Sequence, residues 1–167
     1  MADRMQLVVT ATTIVGTGLV AGTFLAFSTF VMAGLDRRPP HEAIRTMQAI
    51  NRTVLTPVFM GVLFGTALLC VVTIVLAIRQ RGEPGTAALL AAAAFYLAGV
   101  IGVTIAGNVP LNVRLDQTDP TAIDVEAATR EWSAYLGLWL RWNHVRTVAG
   151  ITATTAGLLA LVQQARG

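Results

Sequence analysis

Trp139, Trp142, Asn143 and Arg146 stand at i, i+3, i+4 and i+7, so a helix carries them as one stripe of two indoles, an amide and a guanidinium. Trp132 and Tyr135 extend the stripe towards the N-terminus. Two other segments supply amides: Gln48 and Asn51 in the first third of the chain, and the run Asn108-Val-Pro110-Leu-Asn112 before the stripe. The side chains that stand out are hydrogen-bond donors and aromatic faces, without a convincing acid–base pair. Arg146 is followed by 19 uncharged residues, and an ionisable group at the edge of such a run is a functional-site hypothesis by default.

Each of these residues also has a plainer use. The tryptophans suit an aromatic belt at a membrane border, Asn108 and Asn112 suit the cap of a helix, and Arg146 suits a side chain reaching for lipid headgroups. His41 and His144 are the two histidines. Neither has a second ligand at helical spacing, so haem ligation is disfavoured, and carboxylates and histidines lack the clustering that zinc or di-iron sites need. Cys70 is alone in an apolar run, which excludes an internal disulfide and a thiol redox pair.

The elements that position these residues follow from the distribution of charge. Met5–Leu35, Thr53–Ile78, Pro84–Val113 and Thr147–Ala165 contain no charged residue, and these runs of 31, 26, 30 and 19 residues leave all 21 charges in the other 61 positions. At about 1.5 Å per residue each run is long enough for roughly 30 Å of hydrocarbon. The expected fold is all-α: an antiparallel four-helix membrane bundle forming one domain over residues 1–167, with spans at about 7–35, 53–78, 86–106 and 145–163. A soluble α/β enzyme is excluded. The net charge of +3 and pI near 10.0 rest on 12 arginines that mostly flank the runs, a pattern of headgroup anchoring and not of nucleic-acid binding. The first run is about twice the length of a signal-peptide core and reads as a retained span.

Between the first two spans, Ile44, Met47, Gln48 and Asn51 share one face of an amphipathic helix. Pro110 disfavours continued helix, which places Asn108 where the third span ends. No proline interrupts Thr121–Val162, and a helix of those 42 residues is about 63 Å long, so it projects from the bilayer or bends near Gly137, with residues 123–136 at the interface. Gly18 and Gly22, and again Gly61 and Gly65, form GxxxG pairs that suit packing within the bundle or, as the alternative, a homo-oligomer interface. The two longer loops hold Arg37, Arg38, Arg45, Arg52, Arg114, Arg130 and Arg141, against Arg4, Arg79, Arg81 and Arg166 at the termini and short turn. Seven against four puts the longer loops in the cytoplasm and the protein in the cell membrane.

Met47-Gln48 with Asn51 and Pro57, Asn108-Val-Pro110-Leu-Asn112, and Trp139-x-x-Trp142-Asn143-x-x-Arg146-Thr147 together resemble the anthrone oxygenase-like family of small four-span membrane proteins, from the first span to the last. Many bacterial members are described only as a domain of unknown function. Fungal members are implicated in oxidising anthrones to anthraquinones without a recognised cofactor. The resemblance implies a monooxygenase using O₂ and an apolar polycyclic aromatic, with no cofactor, no metal and no nucleic-acid partner. It carries over Gln48, Asn51, Asn108, Asn112, Trp142, Asn143 and Arg146. On that implication Arg146 and Asn143 donate to the substrate's carbonyl oxygen as charge develops, Trp139 and Trp142 wall the rings, and His144, or else His41, the substrate's own phenolate or water, takes the proton. The rival reading is a non-enzymatic scaffold, or a binder or carrier of lipophilic molecules. A transporter is disfavoured because the spans hold no acid and show no inverted repeat.

Overall fold

Backbone groups in hydrocarbon find no water, so a spanning segment must close its hydrogen bonds within itself. The computed structural model describes residues 4–166, and in it four helices are long and apolar enough to cross a membrane: α1 (Arg4–Leu35), α3 (Pro57–Arg79), α4 (Thr86–Asp116) and α5 (Val125–Arg166). A fifth, α2 (Pro40–Thr53), lies in the first loop. The described residues contain no strand. The protein is an all-α integral membrane protein. α1 packs against α3 and α5, and α4 packs against the same two, so the bundle is a square of antiparallel neighbours.

The helix ends follow local chemistry. Pro40 and Pro57 occupy first turns, where a missing N–H costs nothing, and Thr56 Oγ1 caps α3 by accepting from the Phe59 amide at 3.3 Å. The turn from α3 to α4 depends on Gly82 and Gly85, whose φ values of +93° and +86° suit glycine. In the loop before α5, Asp119 accepts from the Thr121 hydroxyl and amide, which holds its carboxyl below the usual carboxylate value.

Two helix boundaries differ from the sequence-based expectation. The residues at 53–56 belong to the end of α2 and a linker, so the second span begins at Pro57. The helix of the third span does not stop at Ala106 but continues through Pro110 to Asp116. The turn of Thr104–Asn108 is π-helical, and a widened turn just before Pro110 accommodates the ring and the missing donor. Two further π segments occur at Phe27–Val31 and Phe95–Gly102. The long fourth helix is continuous through Gly137, and its 42 residues project beyond the bundle.

That projection is covered. α2 buries Ala43, Ile44, Met47 and Gln48 on the face anticipated from spacing, and these pack with Met32 and Leu35 of α1, Leu115 of α4, and Ala128, Trp132, Tyr135 and Trp139 of α5. The result is a cap over one end of the bundle. Gln48 fixes it: its Nε2 donates to the carbonyls of Leu115 and Thr118, both at 2.8 Å, satisfying groups freed where α4 ends. Trp132 Nε1 donates to Asp36 at 2.9 Å, tying the projection to the end of α1.

Close helix approach uses other glycines than the GxxxG pairs. A Cβ on Gly16 would collide with Thr66 and one on Gly99 with Ala149. A Cβ on Gly150 would lie 2.9 Å from that of Ala21. Gly22, Gly61 and Gly65 meet nothing within 4 Å, and Gly18 only an ordinary contact. The pairs therefore do not seat helices within the bundle. Gly150→Val is expected to lower the unfolding midpoint in detergent, through an overpacking cost of about 1–3 kcal/mol, while Gly61→Ala leaves it unchanged. Equal sensitivity at both positions would contradict this packing.

Candidate functional site

Where the cap meets the bundle, all five helices leave a cavity of about 290 Å³ between them. α1 contributes Thr23, Phe24 and Phe27. The end of α2 and the linker supply Met47, Ile50, Asn51, Val54 and Leu55. α3 adds Phe59, Met60, Leu63 and Phe64, α4 adds Thr104, Val109 and Asn112, and α5 adds Trp139 and Arg146. The volume stands beside the roughly 300 Å³ lower end of small-molecule pockets. The lining includes the exposed apolar side chains Leu55 (66%), Phe64 (52%) and Val109 (44%), so where the cavity reaches the surface it does so among apolar groups.

Arg146 is the one charged residue in this lining, and it is 5% exposed. Its Nη2 donates to Asn143 Oδ1 at 2.7 Å and its Nη1 reaches Thr104 Oγ1 at 3.4 Å. The guanidinium carbon lies 4.1 Å from the Phe24 ring centre and 5.2 Å from that of Trp139. Nε is buried without a partner, and no carboxylate among the described residues pairs with the side chain. Contacts with aromatic faces contribute about 0.5–2 kcal/mol each. Burying a charge costs several kcal/mol, so these contacts do not balance it.

The neighbouring residues hold this arrangement. Asn143 is fully buried; its Nδ2 donates to the Phe24 carbonyl and to Ser28 Oγ, both at 2.8 Å, which turns its oxygen towards Arg146. Asn112 Oδ1 accepts from Tyr135 Oη at 2.9 Å and Trp139 Nε1 at 3.0 Å, fixing the indole against the cavity. Asn108 Nδ2 donates to the Trp139 carbonyl at 3.2 Å, and its Oδ1 is unpaired. Asn51 lines the cavity with a buried, unpaired Nδ2. Ser28 and Thr104 both sit in π segments, whose wide turns carry these hydroxyls to the arginine's surroundings.

Of the residues singled out from sequence, Asn51, Asn112, Trp139 and Arg146 meet in the cavity lining. Asn143 and Asn108 stand behind it. Gln48 is committed to the end of α4 instead. Trp142 is 44% exposed and packs over Gly107 on the outer surface, one turn around from Trp139, so the two indoles do not form one wall. His144 is exposed, with Nδ1 3.0 Å from Ser28 Oγ, and His41 Nε2 donates to the Ile123 carbonyl at 3.0 Å; neither imidazole lines the cavity. Further lining comes from Phe24, Phe27, Phe59 and Met60, with the Phe27 ring centre 5.6 Å from that of Trp139. The phenylalanines of the first span were the available signal for half of it; Ser28 and Thr104 gave none, being ordinary hydroxyls in apolar runs.

A family model described as anthrone oxygenase matches residues 58–156, more than half of the chain. The matched stretch holds both the Asn108–Asn112 and Trp139–Arg146 segments, and leaves Gln48 and Asn51 outside it. No curated protein and no solved structure matches the chain.

Arg146→Met removes a buried charge that no carboxylate among the described residues neutralises. Its unfolding midpoint in detergent is expected to equal or exceed that of the wild type, whereas Gln48→Leu, which removes two hydrogen bonds to the end of α4, is expected to lose about 1–3 kcal/mol. A large loss of stability on Arg146→Met would mean that the charge is compensated internally.

Proposed function

The chain belongs to the anthrone oxygenase family, and on that premise we propose that it is a membrane-embedded, cofactor-independent oxygenase acting on an apolar polycyclic aromatic such as an anthrone. The observation that carries the proposal is the buried Arg146, paired with no carboxylate among the described residues, in an aromatic-lined cavity with exposed apolar side chains at its edge. An anthrone bears an acidic CH₂ between two aryl rings, conjugated to a carbonyl. Loss of one proton gives an enolate electron-rich enough to reduce O₂ directly. One oxygen atom becomes the new quinone carbonyl, and the other leaves as water with the two hydrogens of the original CH₂.

Each lining group has a part in this scheme. The Arg146 guanidinium meets the substrate oxygen as it gains negative charge, and a single such donor in a dry site is worth about 10²- to 10³-fold in rate. Asn143 acts through Arg146 as a positioning residue. Phe24, Phe27 and Trp139 offer faces for the rings. The exposed apolar edge admits a substrate and O₂ that both partition into hydrocarbon. With the longer, arginine-richer loops in the cytoplasm, the cavity lies near the cytoplasmic border of the cell membrane.

One observation favours a second reading, a binder or carrier of lipophilic molecules: the lining contains neither a carboxylate nor an imidazole to take a proton. Purified, metal-free protein in nanodiscs, given an anthrone and then O₂, separates the two. The oxygenase is expected to form quinone with O₂ consumed in equal amount. Arg146→Met is expected to lose about 10²- to 10³-fold in kcat/KM, and His144→Ala to keep wild-type turnover because its ring lies outside the cavity. Ligand binding without quinone would establish the carrier reading, and a haem Soret band in the purified protein would overturn the cofactor-free one.

A further inference from the structure

Two residues on different helices line the same cavity and each carries a donor with no partner within hydrogen-bond distance. Arg146 Nε comes from α5 and Asn51 Nδ2 from α2, and both atoms are buried. Arg146 also brings a full positive charge that no carboxylate among the described residues meets within 4 Å. A neutral carbonyl in the cavity would leave the charge unanswered; an ionised oxygen answers it. The rest of the lining is mostly apolar, with aromatic faces from Phe24, Phe27 and Trp139, and it includes the exposed apolar side chains Leu55, Phe64 and Val109.

We propose that the cavity takes its ligand as a planar aromatic monoanion, the ionised oxygen between Arg146 and Asn51 and the ring system directed towards the exposed apolar edge. Asn51 is thereby a specificity-determining residue. This deepens the oxygenase reading and rests on it in one respect: a substrate that binds already ionised at an enolic or phenolic oxygen needs no proton acceptor from the chain, which matches a lining that has none. The substrate class is then narrower than apolar aromatics. It is lipophilic weak acids whose ionised oxygen is conjugated to the carbon that reacts.

The test is binding under argon, so that it does not depend on turnover. Full-length protein in nanodiscs of zwitterionic lipid is titrated with anthracene-9-carboxylate, with the neutral anthracene-9-carboxamide, and with dodecanoate as competitor, followed by anthracene fluorescence. The carboxylate is expected to bind wild type at least about tenfold more tightly than the carboxamide, the ratio of one charge-assisted hydrogen bond. That preference is expected to vanish in Arg146→Met, to persist in Arg146→Lys and to shrink in Asn51→Leu. The Kd of dodecanoate, read from its displacement of anthracene-9-carboxylate, is expected to be at least about tenfold weaker than that of the aromatic anion itself.

Equal binding of carboxylate and carboxamide by wild type, or a preference that survives Arg146→Met, would overturn the anion assignment. Dodecanoate competing as well as the aromatic anion would overturn the planar one. Anion preference in a protein that forms no quinone removes the oxygenase and leaves this inference standing. Quinone formation by a protein with no anion preference does the reverse.

Discussion

A guanidinium that meets no carboxylate among the described residues, buried where four membrane helices meet a small cap, is the constraint around which the other features of this protein arrange themselves. Its charge is incompatible with direct exposure to hydrocarbon, and its neighbours each meet part of its demand: Asn143 by one hydrogen bond, Phe24 and Trp139 by their faces. These partners are in turn held by others. Asn143 is oriented by Ser28 and the Phe24 carbonyl, and Trp139 by Asn112. The cap of α2 and the projecting part of α5 shields the charge from bulk water without supplying an opposite one. What results is a chamber whose electrostatics are incomplete until something enters it.

Much of the architecture was legible in the sequence because a bilayer imposes a strong and simple rule. Charge-free runs of 19 to 31 residues leave few alternatives to spanning helices, and the amphipathic spacing of Ile44, Met47 and Gln48 identified the buried face of α2. The interruptions were harder to read. Pro110 carries a strong breaking tendency, yet a π turn absorbs it, and nothing in the composition of Thr104–Asn108 announces that turn. GxxxG spacing marked four glycines, while the close contacts fall on Gly16, Gly99 and Gly150, because contact depends on how each helix is rotated and not on spacing within one helix.

The site was legible to a similar depth. Spacing placed Trp139, Asn143 and Arg146 on one stripe, and loop topology brought Asn51 and Asn112 to the same end. A stripe is wider than a cavity wall, however. Trp142 belongs to the stripe by spacing and to the outer surface by rotation, and His144 follows Asn143 in sequence but turns about 100° away from it. Gln48 shared a face with Asn51 and was taken up by the free carbonyls at the end of α4, a demand visible only once that helix was known to run to Asp116.

The π turns at Phe27–Val31 and Thr104–Asn108 also affect phase along α1 and α4. A π turn holds about one residue more than an α turn, so the side chains beyond it are rotated by roughly 100° from where an uninterrupted helix would point them. α1 and α4 each serve two sets of neighbours, the bundle on one side of the turn and the cap on the other, and one fixed helical phase could not face both. The extra residue acts as a gear between the two layers. It lets the bundle and the cap each keep a well-packed face, and the cavity occupies the seam where the phase changes.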